Sequence, residues 1–229
     1  MIVFVFRADD RQTREERLRE AALLAGYGKK ADGSPAAPGA DLWESDIWRI
    51  ARTKRGKPYF PGQPGLHFSI SHSGSFWVCV FSGQAVGIDI QKHVRRKGES
   101  ARAAACRLGR MAERFFHPAE AEWVLEESYE RFFRIWTAKE SFVKYTGEGI
   151  DTNFGNFCLV PEEWKTGKYS PAEQESLSWE AEGVRFYSRR LLGGYTLCVC
   201  SQETEMSVEI RWPEKISDNY KEKRDKIDR

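Results

Sequence analysis

Short apolar runs separated by turn-forming residues dominate this chain and predict a mixture of strands and helices. Runs typical of strands lie at residues 2–6, 43–53, 66–71, 76–81, 85–91, 157–160, 184–190, 195–201 and 206–212. Helical periodicity lies at residues 13–24, 99–114, 118–127 and 129–145. Thr13 and Glu16 have the spacing of a capping box, and the Gly and Pro content of residues 29–41 predicts a loop. The expected fold class is α+β.

Three of these strands are close neighbours in the sequence. Residues 66–71, 76–81 and 85–91 are separated only by turn signals at residues 72–75 and 82–84. Because short turns usually join strands that pair with each other, we expect an antiparallel meander.

The order of helix followed by hairpin occurs twice. Residues 77–82 resemble residues 196–201, and each run precedes a strand with one acidic residue, Asp89 or Glu209. This is weak evidence of a duplication, because apolar hairpins resemble one another by default. We expect three parts: an N-terminal lobe at residues 1–98, a C-terminal lobe at residues 99–212 and a charged, flexible tail at residues 213–229.

Composition excludes several classes of protein. The 229 residues include 36 basic and 34 acidic side chains, so the net charge of +2 does not favour wrapping of duplex nucleic acid. Five cysteines without a CxxC pair indicate neither a disulfide framework nor a zinc site and predict a reducing, cytoplasmic location. No apolar run approaches the roughly 18 residues of a membrane span, so we expect a soluble protein.

The helix at residues 129–145 has an unusual polar face. Trp136, Glu140 and Lys144 follow one another at four-residue spacing and therefore share one side of the helix. Glu140 and Lys144 are compatible with a solvated surface ion pair. Gly147 and Gly149 follow directly and favour a ligand site instead, because glycines let a ligand approach the backbone.

Asp89 is an isolated carboxylate in an otherwise apolar strand. Alternation places Gly87, Asp89 and Gln91 on one side of the strand and Ile88 and Ile90 on the other. An aspartate that faces water is one interpretation. The alternative is a site, with Gly87 leaving space for a bulky ligand beside the acid, because buried carboxylates require a partner such as a cation.

Two polar segments favour binding of an anion. Ser71 and His72 end the strand at residues 66–71 and offer hydroxyl and imidazole groups to a phosphate. A hydrolase is less compatible, because adjacent Ser and His do not readily adopt nucleophile and base geometry and no G-x-S-x-G motif is present. A basic cluster lies upstream, although such a turn is usually solvated surface: Arg52, Lys54, Arg55 and Lys57.

Four motifs in order resemble one family. They are Gly56-Lys57-Pro58-Tyr59, Phe68-Ser69-Ile70-Ser71-His72-Ser73-Gly74, Gly87-Ile88-Asp89-Ile90, and Trp136 with Lys139-Glu140-Ser141-Phe142 and Lys144. This set is similar to the motifs of the 4′-phosphopantetheinyl transferases, in particular the large surfactin-synthetase-type branch, over about residues 56–157. The resemblance before Gly56 is poor, and Arg14 or Arg17 are candidates for the adenine-side basic residues.

The resemblance implies a fold and a reaction. It implies a monomer of two similar lobes related by a pseudo-twofold, each with an antiparallel sheet packed on a long helix, with coenzyme A bound between them. The implied reaction is transfer of 4′-phosphopantetheine from coenzyme A to a serine of an apo acyl or peptidyl carrier protein, with release of adenosine 3′,5′-bisphosphate.

The resemblance also implies roles for individual residues. Mg²⁺ would be held by Asp89 and Glu140, together with Gln91, where many members carry a second acid. Glu140 would also accept the serine proton, and Lys144 would neutralise the diphosphate. The expected coenzyme A contacts are Arg52, Lys57, Ser71, His72 and Lys144. The expected catalytic residues are His72, Asp89, Glu140 and Lys144.

Two other functions compete with this interpretation. One is a different Mg²⁺-dependent enzyme acting on nucleotides, for which no P-loop or other phosphate signature is present. The other is a non-catalytic module that binds nucleotide or coenzyme A. A further hypothesis concerns the partner: an acidic carrier protein would be steered by a basic rim, unless this run is simply solvated, at Lys92, Arg95, Arg96 and Lys97.

Overall fold

A computed structural model describes residues 1–8, 12–27, 48–126, 128–149, 154–165 and 174–212. Three predictions fall outside these ranges. They are the loop at residues 29–41, the first part of the candidate strand at residues 43–53 and the flexible tail at residues 213–229.

The described residues form a mixed α+β protein, as predicted. The strands are β1 (Ile2–Arg7), β2 (Ala51–Arg52), β3 (Pro58–Tyr59), β4 (His67–Ser73), β5 (Phe76–Ser82), β6 (Val86–Lys92), β7 (Ser176–Ala181), β8 (Val184–Leu191), β9 (Tyr195–Ser201) and β10 (Glu209–Arg211). The helices are α1 (Arg14–Leu24), α2 (Ala101–Phe115), α3 (Pro118–Glu126), α4 (Ser128–Thr146) and α5 (Glu162–Lys165), with a 3₁₀ turn at Phe154–Asn156.

Most predicted elements are present, with local differences. The capping box at the start of α1 is confirmed, since Thr13 accepts from the Glu16 amide and Glu16 accepts from the Thr13 amide. The strand predicted at residues 157–160 is wrong, because this segment is irregular and its polar backbone contacts helices. Strand β7 was not predicted.

Two four-stranded sheets organise the described residues. The first has the order β10-β1-β5-β4 and the second β6-β9-β8-β7. The predicted meander is correct for β4 and β5, which pair antiparallel, and wrong for β6, in which Asp89 lies opposite Cys198 of β9. The reason is that β5 already pairs with β1 on one edge and β4 on the other, so no edge of β5 remains for β6.

The sheets share one apolar core, and helices cover their other faces. Valines of β1 and β5 meet Ile88 and Ile90 of β6 and apolar residues of β9 in a single buried cluster. Helix α1 packs on the first sheet through Leu18, Ala21 and Ala22, and α4 packs on the second sheet. The predicted two-sided pattern of β6 follows from this position, because Ile88 and Ile90 face the core between the sheets.

Gly87 sets the distance between β6 and α4. A Cβ atom at this position would lie 1.9 Å from the Ser141 carbonyl oxygen and 2.7 Å from the Tyr145 nitrogen. The space beside Gly87 is therefore taken by the α4 backbone, which corrects the interpretation that it accommodates a ligand. The glycine instead brings the polar face of α4 next to Asp89.

The two sheets exchange strands across the predicted lobe boundary. β6 precedes residue 99 but pairs with β9, whereas β10 lies near the end of the described chain and pairs with β1. The division at residues 98 and 99 remains a prediction. None of the helices in the described ranges has the length and apolarity needed to cross a bilayer.

Candidate active site

A cleft lies where the two sheets meet along β4 and β6. These are edge strands of different sheets, and they run side by side. The cavity has a volume of about 520 Å³, within the usual range of ligand pockets. All the residues that the sequence assigned to the site line this cavity: Arg52, Lys57, Ser71, His72, Asp89, Gln91, Glu140 and Lys144.

The side chains of Asp89, Ser71 and Lys144 form a triangle of short hydrogen bonds. Its Oδ1 atom accepts from Ser71 Oγ at 2.6 Å and from Lys144 Nζ at 2.7 Å. Lys144 Nζ also donates to Ser71 Oγ at 2.8 Å. Lys144 therefore pairs with Asp89 of β6 and not with Glu140, the solvated pair that helical spacing had left as one alternative.

The second oxygen of Asp89 is buried without a partner. In the described part of the structure, Oδ2 has no hydrogen bond and almost no contact with solvent. Leaving a charged oxygen unsatisfied in a protein interior is costly. The atom is thus a strong acceptor for a ligand that brings positive charge.

Glu140 brings a second carboxylate to the same cavity. Burial, and then the negative charge of Asp89, raise the pKa of Glu140 to about 7, while Lys144 acts in the opposite direction. Two acidic side chains from a strand and a helix therefore converge, and their electrostatic field is not fully balanced by Lys144 alone.

Basic residues close one end of the cleft. Lys57 Nζ donates to the Tyr145 carbonyl oxygen at 2.6 Å, in the last turn of α4, and desolvation lowers its pKa. Arg52 donates to the Gly56 carbonyl oxygen at 2.8 Å, which shapes the turn that carries Lys57. His72 is exposed at the rim. This end is suited to phosphate groups.

The comparison with known proteins agrees with this arrangement. A family model described as the 4′-phosphopantetheinyl transferase superfamily matches residues 85–200, which is more than half of the chain and includes Asp89, Gln91, Glu140 and Lys144. The chain belongs to the 4′-phosphopantetheinyl transferase superfamily.

Several curated members of the superfamily are similar in sequence. The 4′-phosphopantetheinyl transferase Sfp of Bacillus subtilis (strain 168) is 36% identical over 122 residues, 52% of this chain and 49% of that protein. The 4′-phosphopantetheinyl transferase gsp of Aneurinibacillus migulanus is 30% identical over 154 residues, 66% of this chain and 56% of that protein. The chain spans about half the length of the curated relatives it matches. The predicted resemblance to the surfactin-type branch is confirmed.

The acidic residues of this candidate site fit a divalent cation. Among the described residues, no group of three or more His, Cys, Asp and Glu side chains gathers at one point. Mg²⁺ needs only one or two carboxylates when substrate phosphates and water complete its shell. The unpartnered Asp89 Oδ2 and the raised pKa of Glu140 both favour a cation here, and the Gln91 side chain lines the same cavity.

Other lining residues were not assigned from the sequence. Phe68, Ile70 and Trp77 form an apolar wall, and Arg14 of α1 reaches the cavity, whereas Arg17 is buried within the fold. No sequence signal separated the apolar residues from ordinary core, because strands that line a cleft have the same alternation as strands that line a core. Arg14 was one of two equal candidates.

Lys139, in the helix motif that resembles the family, lies on a different side of α4. Its Nζ atom is 2.6 Å from Glu120 Oε2 and 2.8 Å from the Phe157 carbonyl oxygen. Burial lowers the pKa of Lys139 and raises the pKa of Glu120, and the charge of each partner opposes this shift. This pair joins α3, α4 and the segment after α4, away from the cavity.

Proposed function

We propose that this chain transfers 4′-phosphopantetheine from coenzyme A to a serine of an apo acyl or peptidyl carrier protein, releasing adenosine 3′,5′-bisphosphate. The observation that carries the proposal is the meeting of Asp89, Glu140 and Lys144 in one cavity with a basic end. The names of the relatives support the same reaction.

The proposed reaction needs charge neutralisation on the diphosphate. The serine oxygen forms a bond to the phosphorus of the phosphopantetheine group, while the bond from this phosphorus to the bridging oxygen breaks and its electron pair leaves with adenosine 3′,5′-bisphosphate. Lys144 and Lys57 line the cavity as cations, and His72 offers a further donor. The Ser71 hydroxyl donates to Asp89, so it would contact a phosphate only after turning its single hydrogen away from that carboxylate. Arg52 adds positive charge at the rim.

The proposed cation site consists of Asp89 and Glu140, with Gln91 as a neutral ligand, directly or through water. When bound, Mg²⁺ would neutralise and orient the diphosphate. The single amide in this set leaves the site with one negative charge fewer than a site of three carboxylates would have.

Glu140 is the proposed acceptor of the serine proton. A general base works best when its pKa is near the working pH. Burial together with Asp89 raises the pKa of Glu140 to about 7, and Mg²⁺ held by the same carboxylate would lower this pKa. The role of base is therefore assigned to Glu140 from its position in the cavity. Glu140 lies in the same cavity as Lys144. The serine proton would therefore be accepted in the cavity in which Lys144 neutralises the departing adenosine 3′,5′-bisphosphate.

Intact-mass analysis of a panel of apo carrier proteins tests the proposal. With coenzyme A and Mg²⁺, we expect the mass of the carrier to rise by one phosphopantetheine group, with adenosine 3′,5′-bisphosphate as the second product. Release of hydrolysis products without an adduct would favour a different nucleotide enzyme. Binding of coenzyme A without turnover on any carrier would favour a non-catalytic module.

A basic rim is the proposed docking region for an acidic carrier protein. Arg95 and Arg96 are exposed beyond the end of β6, and the Arg95 guanidinium lies 5.2 Å from the centroid of the Tyr129 ring. Reversing both charges should raise the KM for the carrier and leave the KM for coenzyme A unchanged. Arg185→Glu, at the opposite end of the second sheet, is the matched control. Equal effects of the two changes would contradict the docking role.

We also propose that the two halves are related by a pseudo-twofold, in a chain that acts as a cytoplasmic monomer. β5 and β9 each pair on both edges, and each is followed by a strand that joins the other sheet. Strict symmetry would pair β10 with β5, but β1 lies between them.

All five cysteines are free thiols, in agreement with a reducing compartment. Sedimentation at the mass of one chain would support the monomer.

A further inference from the structure

Among the described residues, the strand that carries Asp89 has one edge without a backbone partner. Within these ranges β6 pairs with β9 on one side and is the edge strand of its sheet. Its other edge faces β4, and alternate N–H groups of an edge strand point away from the ladder. A buried N–H group needs an acceptor, so the amides on this side of β6 require a substitute for the missing strand.

Two serines of β4 supply the substitute. Ser69 Oγ accepts from the Ile88 amide at 3.1 Å, and Ser73 Oγ accepts from the Lys92 amide at 3.0 Å. Both contacts join residues 19 apart, so the two strands run in the same direction with a constant offset. The hydroxyl groups act where the carbonyl groups of a neighbouring strand would act.

The serine between these two has a different partner. Ser69, Ser71 and Ser73 share one face of β4 because strand side chains alternate. Ser71 donates to the Asp89 carboxylate at 2.6 Å rather than bonding the β6 backbone. Asp89 is therefore held between two backbone contacts and touched by a third hydroxyl group.

We propose that Ser69 and Ser73 are positioning residues. They hold β6, the strand that carries Asp89, in the position relative to α4 that cation and phosphate binding require. The expected effect on kcat rests on the proposed transfer reaction. The expected effects on the position of β6 and on amide exchange do not. Neither serine takes part in the chemistry. Their hydroxyl groups set where Asp89 and Gln91 stand relative to Glu140 on α4.

Loss of either hydroxyl group should displace the strand. In Ser69→Ala the Ile88 amide would remain buried without an acceptor, so β6 would move to reach water or another group. Misplacement of a reacting group by about 1 Å can cost roughly 100-fold in rate. Ser73 is half-buried, so Ser73→Ala provides a milder variant and Ser73→Thr retains the hydroxyl group.

Amide hydrogen exchange tests the contacts directly. In the wild type the Ile88 and Lys92 amides should exchange slowly, although neither bonds to β9. Ser69→Ala should accelerate exchange at Ile88, Ser73→Ala should accelerate it at Lys92, and Ser73→Thr should retain protection. The control is Ser188→Ala, because Ser188 Oγ is buried and has no hydrogen-bond partner within the described residues. Unchanged exchange in both alanine variants would overturn the proposal.

Kinetics and cation binding separate positioning from stability. At a temperature where all variants are folded, Ser69→Ala and Ser73→Ala should lower kcat by roughly 10-fold to 100-fold, with little change in the KM for coenzyme A. Ser73→Thr should restore kcat. The same alanine variants should weaken Mg²⁺ binding, followed by the chemical shift of the Asp89 amide. Effects no larger than those of Ser188→Ala would overturn the positioning role. A wild type that binds Mg²⁺ but transfers no phosphopantetheine would contradict the proposed function alone, since exchange and Mg²⁺ binding would still report on the serines.

Discussion

Helix α4 carries two lysine–carboxylate pairs that look alike by distance and differ in every other respect. Lys139 Nζ lies 2.6 Å from Glu120 Oε2, and Lys144 Nζ lies 2.7 Å from Asp89 Oδ1. The side chains of the first pair are both 0% exposed, whereas those of Lys144 and Asp89 are 29% and 7% exposed. The first pair is enclosed by protein and the second opens into the cleft.

The two carboxylates also differ in their remaining hydrogen bonds. Glu120 accepts from the Leu159 amide at 2.7 Å and from the His117 amide at 3.1 Å, so both of its oxygens are used. Asp89 has one oxygen with two donors and one with no partner in the described residues. An ion-pair distance therefore does not distinguish a structural pair from a functional one. The hydrogen-bond acceptor capacity that the carboxylate leaves unused does distinguish the two pairs.

The largest effect is expected from breaking the enclosed pair. Lys139→Met would leave Glu120 buried without a cation and should cost about 3–5 kcal/mol of the free energy of unfolding, measured by urea denaturation. Lys165→Met is the matched control, because Lys165 pairs with an exposed Glu162 and such surface pairs contribute only about 0–1 kcal/mol. Similar losses in both variants would show that burial does not separate the pairs.

Breaking the open site should affect catalysis rather than folding. Asp89→Ala and Glu140→Gln each remove a proposed cation ligand and should lower kcat by at least roughly 100-fold, while circular dichroism and the unfolding midpoint remain close to those of the wild type. Transfer is followed by intact mass at saturating coenzyme A. A variant with near-normal turnover would remove that residue from the mechanism.

The spacing between α4 and β6 links folding to the open pair. Gly87→Ala would place Cβ 1.9 Å from the Ser141 carbonyl oxygen, so the helix must move, at a cost of about 1–3 kcal/mol for overpacking. Lys144 and Glu140 would move with the helix, and transfer should slow as well. Gly83→Ala is the control, because nothing lies within 4 Å of its added Cβ. Equal stability of both variants would contradict close packing at Gly87.

The smallest predicted effect concerns the charge of the site that contains Asp89 and Glu140. Gln91→Glu adds a negative charge beside the open carboxylates and should tighten Mg²⁺ binding by roughly 10-fold, equivalent to about 1.4 kcal/mol. Isothermal titration calorimetry with Mg²⁺ alone measures this, with Gln91→Ala as the control for loss of the amide. Binding in Gln91→Glu that is no tighter than in the wild type would place Gln91 outside the cation shell.

Local patterns were sufficient to predict which side chains of β6 and α4 share one cavity. The period of two placed Asp89 and Gln91 on one face of β6, and the period of 3.6 placed Trp136, Glu140 and Lys144 on one face of α4, and all five line the cavity. These predictions succeed because side-chain direction depends only on the backbone of the element itself.

Partners from distant parts of the chain could not be predicted in this way. The pairing of β6 with β9 depended on whether β5 had a free edge, and the salt bridge of Lys144 to Asp89 depended on how closely α4 approaches β6. Gly87 was misinterpreted for the same reason, since its neighbour Ser141 is far away in sequence. Nothing local to Lys139 indicated that Glu120 would enclose it.

The amino-acid sequence by itself determined most of the elements, the polar faces of β6 and α4, and the resemblance to phosphopantetheinyl transferases, because each depends on residue type and short spacing. Only the tertiary structure decided that the Glu120 carboxylate is enclosed by protein and that the Asp89 carboxylate faces the cleft. That outcome depends on burial and on the hydrogen-bond partners that long-range packing brings to each oxygen, and neither is encoded at any single position.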